Sequence, residues 1–399
     1  MFIGNHNTYV SKILAVIILI TTFGCLDSDL EKDKKAENLI LEVKQKYAPD
    51  KRVAVFALEA TISGTKMMLS GETDQEEGLK ELVENMEKLG FEVDNQVELL
   101  PNLEKEGGNI YGVINNSVSN IRSESRHSAE LATQAILGRS VKILKQEGEW
   151  YLIQTPDKYI SWIDHGGLIP MNENSHDVWE QAEKVVFLSS SGYVYTYPEV
   201  SRDVVGDLVM GSLLKLSSEH KEFYEVQYPD GRKGFVEKSK SARYSEWLSS
   251  MIRTEELLIE NALSMKGAPY LWGGTSSKAM DCSGFTKTIY LMNGYVIPRD
   301  ASQQVNEGKV VDANLNFEGL EVGDLLFFGK KATDSTRQRT THVGMWIGDN
   351  QFIHSSKNVR ISSINENSEF YDSMNVNRYL GAKRYLGNIT EGIIDLTKI

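Results

Sequence analysis

One cysteine stands in a sequence setting that suits a nucleophile. Cys282 lies between Asp281 and Ser283, after a Trp-Gly-Gly turn, and apolar residues at helical spacing follow in Phe285–Met292. A cysteine at a helix N-terminus meets the positive end of the helix dipole and unpaired N–H groups, and both favour the thiolate. A lone cysteine is more often a buried structural residue, but such residues normally lie in apolar sequence. We therefore predict a reactive thiolate at the start of a helix.

A nucleophilic thiol needs a base, and two histidines downstream are spaced to supply one. His342 precedes a strand-like run, Val343–Ile347, residues 348–350 (Gly-Asp-Asn) signal a turn, and residues 351–355 form a return strand that carries His354. Facing side chains on paired strands have Cβ atoms about 4.5–5.5 Å apart. One imidazole would then take the thiol proton while the other fixes its tautomer. A register slip of one residue would separate the two rings, so the sequence leaves the pairing open.

These motifs together resemble the NlpC/P60 family of cell-wall cysteine peptidases. The resemblance covers residues 255–387 and rests on the YLWGG…DCSG block, the HVGMWIG strand and the second histidine twelve residues on. It implies a papain-like α+β fold with Cys282 as nucleophile, His342 as base and His354 as the orienting third residue. It also implies that Tyr270 lies beside the nucleophile and helps to bind the oxyanion.

Composition narrows the class of protein further. The chain has 399 residues, a net charge of −13 and two cysteines, Cys25 and Cys282. This length predicts about two to four domains, and the negative charge argues against nucleic acid as a partner. Two cysteines provide no disulfide framework, and no cluster of metal ligands is visible. We expect neither a metal nor another cofactor.

The first residues have the pattern of an export signal. Lys12 precedes the apolar run Ile13–Ile20, which is too short to span a bilayer, and Gly24-Cys25 follows. Residues 1–25 resemble a bacterial lipoprotein signal, which implies lipidation of Cys25 and a place in the cell envelope, anchored to a membrane. Thr22 departs from the usual leucine, and a secreted soluble protein is the alternative. Residues 26–37 are a charged tether.

Residues 108–250 contain an internal repeat with an offset of 73 residues. The repeat pairs Gly138 with Gly211, Trp150 with Phe223, Pro156 with Pro229, and Trp162 with Phe235. Short strand-like runs between Gly, Pro and Asp turns predict two small β-barrels. They resemble bacterial SH3 domains, for which binding or positioning is the expected role.

The fold class predicted from these segments is α+β and multidomain. A papain-like NlpC/P60 catalytic domain at 251–399 follows two SH3-like β-barrels at 108–178 and 179–250. Residues 26–107 form the tether and a small α+β domain. In that domain we predict helices at 39–46 and 76–89 and strands at 52–62 and 91–99, with no catalytic constellation.

Five further residues are candidates for substrate binding. The assembly resembles γ-D-glutamyl-L-diamino-acid endopeptidases, in which an acidic residue and a tyrosine of the first SH3 domain hold the free amine of N-terminal L-Ala. Glu130 and Tyr159 are the matching candidates. Asp300 suits the same ammonium group, because a desolvated cation needs a paired charge. Ser283 is the other predicted contact, and Asp281 either joins it or braces the turn.

Three functions compete at this point. The first is a cysteine peptidase that cuts the γ-D-Glu–diamino acid bond of peptidoglycan peptides. The second is an amidase or acyltransferase of the same fold, and the third is a non-catalytic wall-binding lipoprotein. The intact set of Cys282, His342 and His354 disfavours the third, and Asp300 and Glu130 favour the first. We expect peptidoglycan-derived peptides and a membrane as partners, and a monomer.

Overall fold

The computed structural model describes residues 26–398, so the predicted signal segment 1–25 and Cys25 lie outside the described residues. The chain divides between Asn102 and Leu103 into two compact units, slightly before the boundary at 107/108 that the sequence predicts. Within the described residues, no helix is long and apolar enough to cross a membrane.

The N-terminal unit is a small α+β structure. Its elements in chain order are α1 (Leu26–Tyr47), β1 (Phe56–Ser63), β2 (Lys66–Thr73), α2 (Glu76–Lys88) and β3 (Glu92–Leu99). β2 pairs antiparallel with β1 and parallel with β3, and the helices contribute Val43, Leu82 and Met86 to its core.

Three predictions for this unit need correction. Residues 26–37, predicted as a charged tether, are part of α1, which begins at Leu26 and not at residue 39. The predicted strand 52–62 begins only at Phe56, because Asp50 accepts hydrogen bonds from the backbone and side chain of Arg52 and holds this stretch in a turn. β2 was not predicted. It buries Met67, Leu69 and Thr73, with Gly71 between the last two, so its alternation is too short and interrupted to stand out.

Residues 111–181 form a seven-stranded antiparallel sheet and one helix. The elements are β4 (Tyr111–Ile114), β5 (Val118–Arg122), β6 (Leu131–Ile136), β7 (Ser140–Glu147), β8 (Trp150–Gln154), β9 (Ile160–Asp164), β10 (Leu168–Met171) and α3 (Glu173–Gln181). The strand order is β10-β4-β7-β8-β9-β5-β6, which leaves β6 at one edge.

A second sheet repeats the first. Its elements are β11 (Lys184–Phe187), β12 (Ser191–Tyr195), β13 (Val204–Val209), β14 (Leu213–His220), β15 (Phe223–Gln227), β16 (Lys233–Glu237), β17 (Ser241–Arg243) and α4 (Tyr244–Ser249). Each strand begins 73 residues after its counterpart, as Lys184 does after Tyr111, and the strand order is the same. The structure therefore has the repeat offset that the sequence predicts.

The C-terminal part packs helices against an antiparallel sheet. Its elements are α5 (Glu255–Ser264), β18 (Thr275–Ser276), β19 (Ala279–Met280), α6 (Cys282–Leu291), β20 (Tyr295–Val296), α7 (Ala301–Gln304), β21 (Lys309–Val310), β22 (Leu325–Lys330), β23 (Arg339–Gly348), β24 (Gln351–Ser356), β25 (Asn358–Ser363), α8 (Ser373–Asn377), β26 (Tyr379–Arg384) and β27 (Ile394–Asp395). The main sheet has the order β21-β26-β22-β23-β24-β25.

Both faces of this sheet are covered, which explains the continuous apolar run Leu325–Phe328 in β22. Leu325 and Phe327 join the core around α6, whereas Leu326 and Phe328 join a second core on the opposite face. A strand buried on both faces needs apolar residues without alternation. The sheet thus packs on both faces and supports the residues that β23 and β24 carry.

Candidate active site

The nucleophile candidate is the first residue of α6. Asp281 is the N-cap, and its side chain accepts the backbone N–H of Gly284 at 2.7 Å. The helix therefore begins at Cys282, three residues before the predicted start at Phe285, and the predicted place of the cysteine at a helix N-terminus is confirmed. The thiol also lies close to the backbone N–H of Val343, the residue that follows His342.

The prediction of a resting thiolate is wrong for this geometry. Cys282 is 7% exposed, and burial, together with the carboxylate of Asp281, raises the pKa of its thiol to about 12. The N–H groups of Ser283 and Val343 and the charge of Arg299 lower this pKa, but they do not outweigh desolvation. The thiol is therefore neutral at rest and must lose its proton as it attacks.

The two histidines meet as the sequence predicts. A tight turn at Asp349 and Asn350, both with positive φ, joins β23 to β24, and the register places His354 opposite Gly344. His354 is then the diagonal neighbour of His342, and His342 Nε2 lies 2.7 Å from His354 Nδ1. A Cβ atom on Gly344 would come within 3.1 Å of the Cβ of His354, so the missing side chain leaves room for the ring.

A serine and a carboxylate lie next to the second ring nitrogen of His354, the one that does not face His342. His354 Nε2 lies 3.0 Å from Ser362 Oγ and 3.9 Å from Asp372 Oδ2. If His342 Nδ1 is to accept the thiol proton, His342 Nε2 must donate to His354 Nδ1, and His354 Nε2 must in turn donate to Ser362. The four side chains are buried, and this hydrogen-bond direction fixes both tautomers.

Burial keeps both imidazoles neutral. It lowers the pKa of His354 to about 4, although Asp372 opposes the shift. It also lowers the pKa of His342 well below its usual value, and the neighbouring His354, Arg378 and Arg360 lower it further. A neutral His342 can accept a proton, so the resting pair is a thiol and an imidazole.

Tyr270 lies beside the nucleophile, as the resemblance implies. Burial raises the pKa of its phenol above the usual range, and Cys282 and Asp281 raise it further, so the hydroxyl remains a donor. The turn that follows touches the first seven-stranded sheet. Gly273 has φ of 80°, and a Cβ atom there would lie 2.3 Å from the carbonyl oxygen of Leu131, so this close approach requires glycine.

A buried ion pair braces the nucleophile turn from below. Arg299 is 1% exposed, and its Nη2 donates to Asp281 Oδ2 at 2.6 Å while its Nε donates to Thr133 Oγ1 of the first sheet at 2.9 Å. Asp281 also accepts the N–H of Gly273 at 3.0 Å. Both of its oxygens are thus engaged, which favours the bracing role over a substrate contact. Ser283, the other candidate in this turn, is buried and accepts from Arg299 Nη1 at 3.0 Å.

The remaining candidates surround the same turn. Glu130 reaches across from the loop before β6, and its Oε1 accepts the indole N–H of Trp272 at 2.6 Å. Tyr159 is buried and lies near enough to Arg299 to affect its pKa. Asp300 is the N-cap of α7, is 28% exposed, and lies 3.9 Å from Arg299. The structure therefore brings all three to the side of the site that faces the first sheet.

Sequence reasoning overlooked three residues at this site. Arg299 stands in the PRDASQQ segment, directly before Asp300, and an arginine next to a candidate carboxylate was a usable signal. Ser362 and Asp372 carry no comparable signal, because only the register of β25 and the position of the loop before α8 bring them to His354.

The arrangement suits acyl transfer by a thiol. It offers a nucleophile, a neutral base with a fixed tautomer, a phenolic donor beside the sulfur and a carboxylate-lined side. Within residues 26–398, no group of three or more His, Cys, Asp or Glu side chains is placed to hold a metal ion.

Two segments of the chain match known protein families. Residues 267–378 match the NlpC/P60 family, and residues 121–168 match the bacterial dipeptidyl-peptidase SH3 domain. The chain is 32% identical over 273 residues to the gamma-D-glutamyl-L-lysine dipeptidyl-peptidase of Bacillus cereus, covering 64% of this chain and 76% of that protein. These matches confirm the family resemblance that the cysteine and histidine motifs predict.

Two further similarities extend this result. Dipeptidyl-peptidase 6 of Lysinibacillus sphaericus is 26% identical over 270 residues, which cover 64% of this chain and 92% of that protein. The crystal structure of an NlpC/P60 family protein from Bacillus cereus is 26% identical with a TM-score of 0.59, covering 69% of this chain and 99% of that one. The likeness thus includes an SH3 domain together with the catalytic domain.

Proposed function

Because the chain belongs to the NlpC/P60 family and is a cell-wall cysteine peptidase, we propose that it hydrolyses the γ-D-glutamyl–diamino acid bond of peptidoglycan peptides with a free N-terminal L-Ala. The name of the Bacillus cereus relative supports this choice of scissile bond. The free amine is what the resemblance to γ-D-glutamyl-L-diamino-acid endopeptidases implies, and the residues around the nucleophile turn support it.

One observation carries the proposal, the hydrogen bond between Glu130 and Trp272. It holds a carboxylate of the SH3 domain beside the turn that leads to Cys282. Asp300 lies 3.9 Å from Arg299 and adds a second carboxylate to this side of the site. An α-ammonium group withdrawn from water needs a paired negative charge, and these carboxylates supply one.

The reaction follows from the site geometry. The thiol of Cys282 passes its proton to His342 as the sulfur attacks the γ-carbonyl carbon, and a tetrahedral oxyanion forms beside the Tyr270 hydroxyl. Collapse breaks the C–N bond, and His342 returns the proton to the leaving amine. Water then gives a proton to His342 and attacks the thioester, which releases the γ-D-glutamyl product and restores the thiol.

We also propose that residues 179–250 form a second SH3-like domain. The identical strand order and the offset of 73 residues support this assignment. Positioning or binding is the expected role of such a domain.

The proposed activity is tested by mass spectrometry of products from L-Ala-γ-D-Glu-diaminopimelate and the corresponding lysine peptide. We expect L-Ala-γ-D-Glu and the free diamino acid, with no turnover by Cys282→Ala. A product cut at another bond, or unchanged turnover by the alanine variant, would contradict the proposal. The lysine and diaminopimelate peptides together report which diamino acid is accepted.

We further propose that Cys25 is lipidated and anchors the protein to a membrane in the cell envelope. The signal-like sequence of residues 1–25 supports this, although it lies outside the described residues. Labelling with a fatty-acid probe should mark the wild type and not Cys25→Ser, and the variant should move to the soluble fraction. An unlabelled wild type would indicate plain secretion instead.

A further inference from the structure

Two partly buried arginines near the catalytic histidines differ from three other arginines of the catalytic domain that are buried or partly buried. Each of those three pairs with a carboxylate: Arg253, Arg299 and Arg384. Within residues 26–398, neither Arg360 nor Arg378 has a carboxylate within 4.0 Å. Partly buried guanidinium groups without a counter-ion are costly, because desolvation is not offset by a paired charge.

Arg378 is held in place by a neutral group. Its Nε and Nη2 donate to Asn375 Oδ1 at 2.9 and 2.8 Å, and Asn375 is itself fixed by a 2.6 Å hydrogen bond to Asp372. The remaining nitrogen, Nη1, lies 3.5 Å from Oγ1 of the exposed Thr341, directly before His342. The guanidinium is therefore oriented beside the catalytic base without being neutralised.

Arg360 lies beside the second histidine of the pair. It pairs with His354 across β24 and β25, so both side chains lie on the same face of the sheet. Arg360 is half-buried, and its Nε is fully buried without a hydrogen-bond partner among the described residues. A donor in that condition has an unsatisfied demand for an acceptor.

In the unliganded enzyme, the positive charges of Arg360 and Arg378 make the catalytic histidines weaker bases. Arg360 and Arg378 both lower the pKa of His342 and His354, which weakens the base. Asp372 opposes this effect on His354 only, and it is engaged with Asn375. An anion that arrives with the substrate would neutralise both guanidinium groups at the moment when His342 must hold a proton.

The exposed chain around these residues is also basic. The stretch from the end of β22 to the start of β23 carries four cationic side chains, Lys330, Lys331, Arg337 and Arg339, against one acidic residue, Asp334. In a chain with net charge −13, this local excess of positive charge is unusual. It lies on the histidine side of the site, whereas Glu130 and Asp300 lie on the SH3 side.

We propose that Arg360 and Arg378 form a carboxylate-binding subsite for the leaving group, the diamino acid portion of the substrate. This inference rests on the proposed function. The substrate would then be recognised as a dipole, with its ammonium end at the carboxylates of the SH3 side and its C-terminal carboxylate at the two arginines. Arginine suits this role because its planar fork matches a carboxylate.

The test compares two peptides that differ at one group. L-Ala-γ-D-Glu-L-Lys with a free C-terminal carboxylate is measured against the same peptide as its C-terminal amide. We expect kcat/KM to be about 10- to 100-fold higher for the acid, since hydrogen bonds to charged groups are the strong ones. Arg378→Gln and Arg360→Gln should each reduce this ratio towards one, mainly by slowing the acid.

Controls separate recognition from structure. Arg202→Gln, an exposed arginine of the second sheet's β12–β13 connection, should leave the ratio unchanged. Arg378→Lys should retain part of the preference. Equal kcat/KM for the acid and the amide in the wild type would overturn the subsite, as would equal losses on both peptides in the Gln variants. Failure to cleave either peptide would instead contradict the proposed function.

Discussion

His342 Nε2 and His354 Nδ1 share a 2.7 Å hydrogen bond, which joins two imidazoles with unequal roles. The backbone N–H of Val343, the residue after His342, lies close to the thiol of Cys282. His354 Nε2 lies 3.0 Å from Ser362 Oγ. We predict that His342→Ala abolishes acylation, whereas His354→Ala retains some, because it removes only the group that orients the base. The loss for His354→Ala should be within or below the roughly 10²–10⁴-fold attributed to acid–base help. Single-turnover rates decide this, and a milder defect for His342→Ala would reverse the assignment.

The hydroxyl of Ser362 should matter for the tautomer rather than for the fold. It is the acceptor for His354 Nε2 at 3.0 Å, so Ser362→Ala removes the group that keeps the proton on that nitrogen. We expect a loss of about 3- to 10-fold in kcat, in line with one neutral hydrogen bond. The neighbouring Ser363 bonds to the carbonyl of Asn350 instead and provides the control. Equal kcat losses in the two alanine variants would argue against the proton chain.

On the acid side of the pH profile, activity should begin to fall only at an unusually low pH. His342 acts as a base only when neutral, and its pKa is lowered well below 6.5 by burial. Activity should therefore be fully present above pH 6.5 and fall only as pH drops through this lowered pKa. The thiol pKa of about 12 means that no rise from thiolate formation is expected near neutrality. The measurement is kcat/KM against pH, and an acid midpoint at or above 6.5 would contradict the buried-base geometry.

The buried ion pair between Arg299 and Asp281 predicts an effect on the free energy of unfolding. Arg299→Leu would leave Asp281 buried without its ion-pair partner, and breaking such a pair typically costs about 3–5 kcal/mol. The exposed pair between Arg232 and Asp230 is the control, since Arg232→Leu should cost about 1 kcal/mol or less. Denaturant unfolding measures both free energies. Similar values for the two variants would show that the buried pair is not a main support.

Much of the architecture was predictable because local patterns determine it. The offset between Gly138 and Gly211 recurs in every strand pair of the two sheets, and both glycines have positive φ. The Gly-Asp-Asn turn marks the hairpin that brings His354 to His342, but a register shift between Trp346 and Gly348 also decides which residues face each other. Motif spacing therefore predicted the hairpin and its two histidines and left their exact pairing open.

The rest depends on contacts between segments distant in the chain. The sequence predicted a thiolate at Cys282 from its place at a helix N-terminus. Burial and the nearby Asp281 raise the pKa of the thiol by more than the helix terminus lowers it. The partners of His354 come from β25 and from the loop before α8, and Arg299 meets Thr133, which is 166 residues away. Such long-range neighbours leave no periodic trace in a single sequence.

The last prediction concerns recognition of the substrate amine. Glu130 Oε1 accepts from Trp272, which leaves Oε2 to meet an ammonium group. Trp272→Phe keeps a large ring but removes the N–H, so Glu130 loses its orientation. We expect kcat/KM on the free-amine peptide to fall about 10-fold, and further in Glu130→Gln, which also removes the charge. The N-acetylated peptide, whose amide cannot pair with a carboxylate, should be a poor substrate throughout and barely change. Comparable kcat/KM on both peptides in the wild type would refute amine capture while leaving the catalytic assignment in place.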